Sequence, residues 1–372
     1  MKSALFATFA IFVATLLVAA PPAFAALSLA TASPVMSTWE QSTGGTLSRD
    51  CGYSAPISST TDLWVFCDTA IYNSSRSLIG FVAGSTAAIN KLSTGQLPQP
   101  VTELPAGSPH QFVANPSTLV TPTGSPCTRA DGAYPAAWPS GATHIPATSK
   151  VLITYSESCV ALNSTYIYFE GYGVATYAPG YTLPLAGHTV FSWTPGTASL
   201  SLARNLGSPI YSGSYIYFYS SDCTANDGYG DCSSGNVYLS RVPTGKYATG
   251  SAYKWLTPSG AWTSYPSQAG DIISGATPIG VNAVVTSHGV TLVSQNNIAG
   301  SYTVWTSNSF GYGFKAASTG TVPCTLTANG VSGFCRAIIP HAELSNQTQL
   351  TLTWFDPSAA TTGHVVADQL LW

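Results

Sequence analysis

Apolar and polar positions in this chain alternate, or gather into blocks of roughly four to eight residues, and no useful stretch keeps a helical period. The clearest blocks are rich in β-branched and aromatic residues and are bounded by Gly, Pro, Ser and Asn. They are 62–68 (DLWVFCD), 150–154, 165–170 (TYIYFE), 190–193, 214–220 (SYIYFYS), 236–241, 282–287, 290–295, 302–307 and 349–354. Segments 337–339 and 365–371 also read as strands. The pattern predicts an all-β chain.

Grouped, these strands recur in five units centred near 63–85, 150–193, 210–243, 282–315 and 336–372. Strands such as those in NVYLSRVP and VFSWTP lead out of a unit through a Pro-containing turn. Five recurrences predict a five-bladed β-propeller filling 26–372 as one domain. An irregular sandwich or two smaller β domains are the alternatives. Residues 95–148, rich in Pro, Gly, Ser and Thr, read as a long loop or insertion between the first two units, tied back through Cys127. A closed ring must bring its ends together, and Leu370, Leu371 and Trp372 are apolar enough to serve there.

The first residues change the picture of the mature protein. Lys2, an apolar run from Ala4 to Ala20 and the segment PPAFA ending at Ala25 have the plan of a cleaved signal peptide, so residues 1–25 are set apart from the fold. No later run approaches the roughly 18 apolar residues of a membrane span. A secreted, soluble monomer is the expectation. Eight cysteines behind such a leader predict four disulfides. Proximity favours Cys51 with Cys67, Cys223 with Cys232 and Cys324 with Cys335, leaving Cys127 for Cys159. Clustered Cys/His ligands are missing, so no metal is expected. The Asn-x-Ser/Thr sites at Asn73, Asn163 and Asn346 are potential glycan acceptors on loops.

Only 7% of residues are charged and the formal net charge is −3, so nothing in the chain suits nucleic acid or an anionic membrane. The abundant Tyr, Trp, Ser and Gly suit neutral polar ligands such as sugars, and no cofactor is called for. The acidic residues can therefore be weighed one by one. Asp222, Asp227 and Asp231 lie in a Gly-rich loop that departs from calcium-loop spacing and read as turn residues. Asp50 precedes Cys51 and Asp68 follows Cys67. If two antiparallel segments set 51 opposite 67, then 50 falls opposite 68, and a disulfide locks the register. Paired carboxylates are what glycoside hydrolysis requires. Singly, each has a plainer reading: Asp50 as a turn residue before Gly52, and Asp68 as a cap at a strand end.

The elements Asp50-Cys51-Gly52 and Val65-Phe66-Cys67-Asp68-Thr69 resemble the Asp-x-Gly and Phe-Gly-Asp-Thr front motif of the endo-D-arabinanase-like family of five-bladed propeller glycoside hydrolases. Strands 214–218 and 237–243 also look like that family's blade strands. The resemblance implies that Asp50 and Asp68 are the catalytic pair and that a polysaccharide or oligosaccharide, such as an arabinan, is the substrate. Cys67 departs from the family's glycine. A cross-strand register would place the carboxylates at the short separation of a retaining enzyme. Arg49 and Arg76 are candidates for binding substrate hydroxyls or for holding one aspartate ionised, Tyr53, Tyr72, Trp138, Tyr172 and Tyr312 are candidates for stacking, and His341 is one at the mouth of a late blade. The rival readings are a non-catalytic carbohydrate-binding propeller and a secreted structural or surface protein.

Overall fold

Side chains alternate between the two faces of a strand, so a run that is apolar at every position needs cover on both sides. The block at 62–68 obtains it. Leu63 and Val65 pack against Val151, Ile153 and Ala175 on one side. Trp64 and Phe66 pack against Leu344, Val365 and Ala367 on the other. Sheets stacked face to face around an axis give such cover, and the computed structural model shows five of them. It describes residues 32–371 apart from 93, 99, 164–166, 193–206, 227–231, 277, 325–334 and 358–362. The leader at 1–25 and Trp372 lie outside the described residues.

The first described strand, β1 (Ser33–Pro34), precedes a short helix, α1 (Thr38–Thr43). Blade one holds β2 (Thr46–Pro56), β3 (Thr61–Tyr72), β4 (Leu78–Val82), β5 (Thr86–Lys91) and β6 (Thr102–Glu103). Blade two holds β7 (Ala133–Ile145), β8 (Lys150–Ala161), β9 (Ile167–Tyr177) and β10 (His188–Ser192). Blade three holds β11 (Ser208–Ser212), β12 (Tyr215–Asn226), β13 (Cys232–Pro243), β14 (Lys254–Leu256) and β15 (Trp262–Thr263). Blade four holds β16 (Gly280–Thr286), β17 (Gly289–Gln295), β18 (Ser301–Ser307) and β19 (Lys315–Thr321), and blade five holds β20 (Arg336–His341), β21 (Gln349–Asp356) and β22 (His364–Leu371). The inner strands β2, β7, β11, β16 and β20 touch in a closed ring. All the strand pairs within the blades are antiparallel.

The ring is closed by the N-terminal strand. β1 pairs with β22, Ser33 opposite Ala367 and Pro34 opposite Val366, and so becomes the outermost strand of blade five. Leu370 enters the blade-five core as expected, whereas Leu371 is exposed. Between β1 and β2 the Ser37 side chain caps α1, and Glu40 closes a capping box. The same Glu40 accepts from the Leu47 backbone N–H at 2.8 Å, which fixes the start of β2.

The stretch 95–148 is not simply a loop. It carries β6 and the thirteen-residue β7, the inner strand of blade two. Pro135, Pro139 and Gly141 disguise β7 in the sequence, because proline cannot donate to a ladder. At the axial edge of its sheet β7 has a strand on one side only, so the missing N–H groups cost little. Three disulfides, Cys51–Cys67, Cys127–Cys159 and Cys324–Cys335, match the proximity pairing. The side chains of Cys223 and Cys232 lie outside the described residues. Among the described residues no helix is long and apolar enough to cross a membrane.

Candidate active site

The mirrored cysteines and aspartates sit where the β2–β3 ladder breaks. Arg49 faces Thr69 and Tyr53 faces Val65, the register in which 50 would oppose 68. Between those pairs, however, Cys51 faces Phe66, because β3 carries an extra residue and β2 then carries one. The direct pairing of Asp50 with Asp68 is therefore absent, and the register argument for a retaining separation does not hold. Bulges of this kind re-aim side chains beside functional sites. Cys51 adopts a left-handed φ of 67° and Gly52 a φ of 111°, so β2 turns sharply here. The Cys51–Cys67 bridge, with a Cα separation of 5.5 Å, spans the break. Replacing both cysteines by alanine is expected to lower unfolding free energy by about 3 kcal/mol, the value for a loop of this length. Denaturant unfolding measures it, and an unchanged midpoint would refute the bracing role.

Asp68 is half-buried and accepts three hydrogen bonds. The Gly84 N–H at 2.6 Å and Trp138 Nε1–H at 2.9 Å donate to Oδ1, and the Tyr134 hydroxyl donates to Oδ2 at 2.7 Å. Gly84 holds a φ of 91°, and an added Cβ would strike Asn115, so this N–H is aimed by a backbone that favours glycine. Burial pushes the Asp68 carboxyl above its ordinary range; the three donors pull it down, and the Asp50 charge pushes it up further. The net direction is upward. Tyr134 is raised as well, by burial first and then by Asp68, so its hydroxyl stays a donor.

Asp50 has a different partner. Arg336, the first residue of β20, donates through NH2 to Oδ1 at 2.9 Å and lies 2.8 Å from Oδ2. The guanidinium also covers the Phe355 ring at 4.6 Å. Side-chain exposures of 37% for Arg336 and 28% for Asp50 leave this pair open to solvent and to a ligand.

These groups gather at one end of the propeller axis. At the other end lies a cavity of about 200 Å³ lined by closing residues of the inner strands, among them Ser54, His144, Tyr211 and Val285, together with Glu343. The inner strands thus run the same way along the axis. Asp50, Tyr134, Trp138 and Arg336 belong to their earlier parts, at the opposite mouth.

Of the other sequence candidates only Trp138 joins this mouth. Arg49, expected to touch substrate, is 1% exposed; it bonds Glu103 at 2.9 Å and covers the Phe66 ring at 3.7 Å. Tyr53 is half-buried with its hydroxyl pushed upward by burial. Tyr72 ends β3 opposite Thr46 and Leu78. Arg76 is exposed in the β3–β4 turn with a φ of 62°. Tyr172 lies in the core between blades two and three. The Tyr312 hydroxyl donates to the Thr257 carbonyl. His341 is buried rather than at a mouth, stacked on Trp64 at 4.9 Å and bonded to Ser54 and Thr353.

Beside His341 is a second acid pair. Burial, and then the neighbouring Glu343, push Asp62 well above the carboxylate range. Asp62 is 0% exposed, which shuts it off from any substrate.

No family model matches the chain, and no curated protein sequence does. Among solved structures it is similar to a candidate hydrolase from Bacteroides ovatus, with a TM-score of 0.57 and 13% identity over 87% of this chain and 85% of that one. Lower likenesses are to a GH43_1 enzyme from Xanthomonas citri, TM-score 0.47 at 10% identity over 91% and 89% of the two chains. Zg3597, a family 117 glycoside hydrolase produced by Zobellia galactanivorans, gives 0.45 at 10% over the same shares. The first of these is a likeness of fold. The chain is a five-bladed β-propeller with two differently partnered aspartates at one axial mouth.

Proposed function

We propose that this propeller is a secreted glycoside hydrolase whose site is the Asp50–Asp68 mouth. The observation that carries the reading is the asymmetry of the two acids. Asp50 meets an arginine at a half-open surface, while Asp68 is raised by burial and by the Asp50 charge. Environments that separate two carboxyls in this way define acid and base roles.

Asp68 then donates its proton to the leaving oxygen as the glycosidic C–O bond breaks, and Asp50 supports attack at the anomeric carbon. The attacking water leaves its hydroxyl on that carbon and its proton on the carboxylates, so one water is consumed per bond. Tyr134 and Trp138 position Asp68, and Arg336 positions Asp50. The Asp62–Glu343 pair is the alternative acid couple; Glu343 lines the cavity at the opposite end, and the complete burial of Asp62 argues against the pair. A furanose polymer such as arabinan is the first substrate to try, on the strength of the front-motif resemblance. The leader pattern and the disulfides suit secretion.

The test is incubation with arabinans, galactans and xylans. Release of oligosaccharide is expected on at least one, and kcat/KM should fall as pH rises through the raised Asp68 pKa, where the acid form is lost. A rate that climbs steadily with pH would refute the acid assignment. A non-catalytic carbohydrate-binding propeller is the second reading, favoured by the three donors already on Asp68. Binding without turnover on every polymer would establish it.

A further inference from the structure

Nine large hydrophobic side chains are exposed among the described residues, and three of them, Leu78 at 59%, Ile79 at 59% and Phe81 at 38%, fall within β4. β4 pairs with β3 alone, so among the described elements its far edge is open. An apolar, uncharged open edge is what proteins ordinarily avoid, because it invites association. A bulge at Ile79 increases the exposure: the ladder passes from Gly80 opposite Ile71 to Leu78 opposite Tyr72, leaving Ile79 without a partner residue.

The strand is continuous with the candidate site. Phe81 meets the Tyr134 ring edge-on at 5.5 Å, and the Tyr134 hydroxyl holds Asp68. Blade two adds a further exposed apolar residue in the Tyr134 cross-strand row: Tyr134 faces Val160, itself buried, which faces Ile167, 53% exposed. An apolar band thus runs along β4 through Phe81 to Tyr134, the residue that holds Asp68, and past the buried Val160 to Ile167.

We propose that this band receives an apolar substituent, acyl, alkyl or aryl, carried by the glycan substrate, so that the preferred substrate is an amphiphilic glycoside. The inference rests on the hydrolase reading. A sugar alone would satisfy Asp50 and Asp68 with hydroxyls but would leave Leu78 and Ile79 in water. Their aliphatic side chains lack the flat face on which sugar rings stack, and they match hydrocarbon instead. Covering them with the same molecule that reaches Asp68 removes the open edge during turnover.

The test compares binding of methyl and octyl arabinofuranoside, both below micellar concentration, to the wild type and to a Leu78→Ser/Ile79→Ser variant. Both substituted side chains are exposed, and an unchanged thermal midpoint verifies folding. The octyl compound is expected to bind about tenfold more tightly than the methyl compound in the wild type. In the variant that gain should vanish while affinity for the methyl compound is unchanged. Equal affinities in the wild type, or a gain that survives the double substitution, would overturn the proposal. So would octanol binding as well as octyl arabinofuranoside, since the sugar would then contribute nothing. Binding to phosphatidylcholine vesicles, or dimer formation in sedimentation, that depends on Leu78 and Ile79 without any octyl gain would reassign the band to a membrane or a second copy. Failure of the hydrolase reading has a separate signature: no glycoside is turned over, whatever occupies β4.

Discussion

Asp68→Asn is expected to lower kcat by about 10²–10⁴-fold, the range for loss of a general acid, with KM little changed. The substitution is close to isosteric. Its Oδ1 can still accept from Gly84 and Trp138, and its amide group can turn toward Tyr134, whose oxygen accepts as readily as its hydroxyl donates. Folding should therefore persist, which a thermal midpoint within a few degrees of the wild type would verify. Asp50→Asn should cost a similar factor at little cost in stability, since ion pairs so open to solvent contribute about 0–1 kcal/mol. Turnover that survives both substitutions would refute the assignment.

The largest effect on stability is expected at Arg49, one residue away. Arg49→Leu should destabilise the protein by about 3–5 kcal/mol, because it strands the Glu103 carboxylate in a site with almost no exposure. Glu103 lies in a medium that already disfavours its charge: burial raises it first, and the Arg49 charge is the main force pulling it back. Removing both partners, as Arg49→Leu/Glu103→Leu, should restore most of the loss, since replacing a buried ion pair by apolar groups is often neutral. Urea unfolding of the four proteins in this cycle measures the coupling. A single substitution costing no more than a surface change would contradict the buried pair.

That adjacent residues serve such different ends explains what could be read from sequence. Unbroken apolar blocks predicted blade strands because such strands are covered on both faces, and DLWVFCD shows this most clearly. The inner strands were harder. β7, β11 and β20 contain Pro135, Pro209 and Pro340, tolerated because each forms the axial edge of its sheet. Since β7 was hidden, Tyr134 was hidden with it. Arg49 and Asp50 look equally polar in the sequence, yet one turns into the blade and the other toward the mouth, a distinction set by the bulge.

One signal for Arg336 was present. Asp50 abuts Cys51, Asp68 abuts Cys67 and Arg336 abuts Cys335. Each charged group of the mouth is thus joined to a disulfide that limits its backbone, although Asp222 and Asp231 abut cysteines too and adjacency alone does not single out the arginine. Trp138 was found by type alone. Its role as a donor to Asp68 depends on the approach of blade two to blade one, which local sequence does not encode.

The closure of blade five by β1 has a consequence for the polypeptide as a path through space. Because β1 lies at the rim beside β22, the two ends of the described ring emerge from one blade, at the periphery and away from the axis. A cargo, tag or tether joined at either end would hang from the edge of the disc, leaving the Asp50–Asp68 mouth unobstructed. The ring can accordingly be regarded as a cyclic object with a movable seam: linking residues 33 and 371 and opening the chain between two other blades would relocate the ends while keeping the order of blades around the axis.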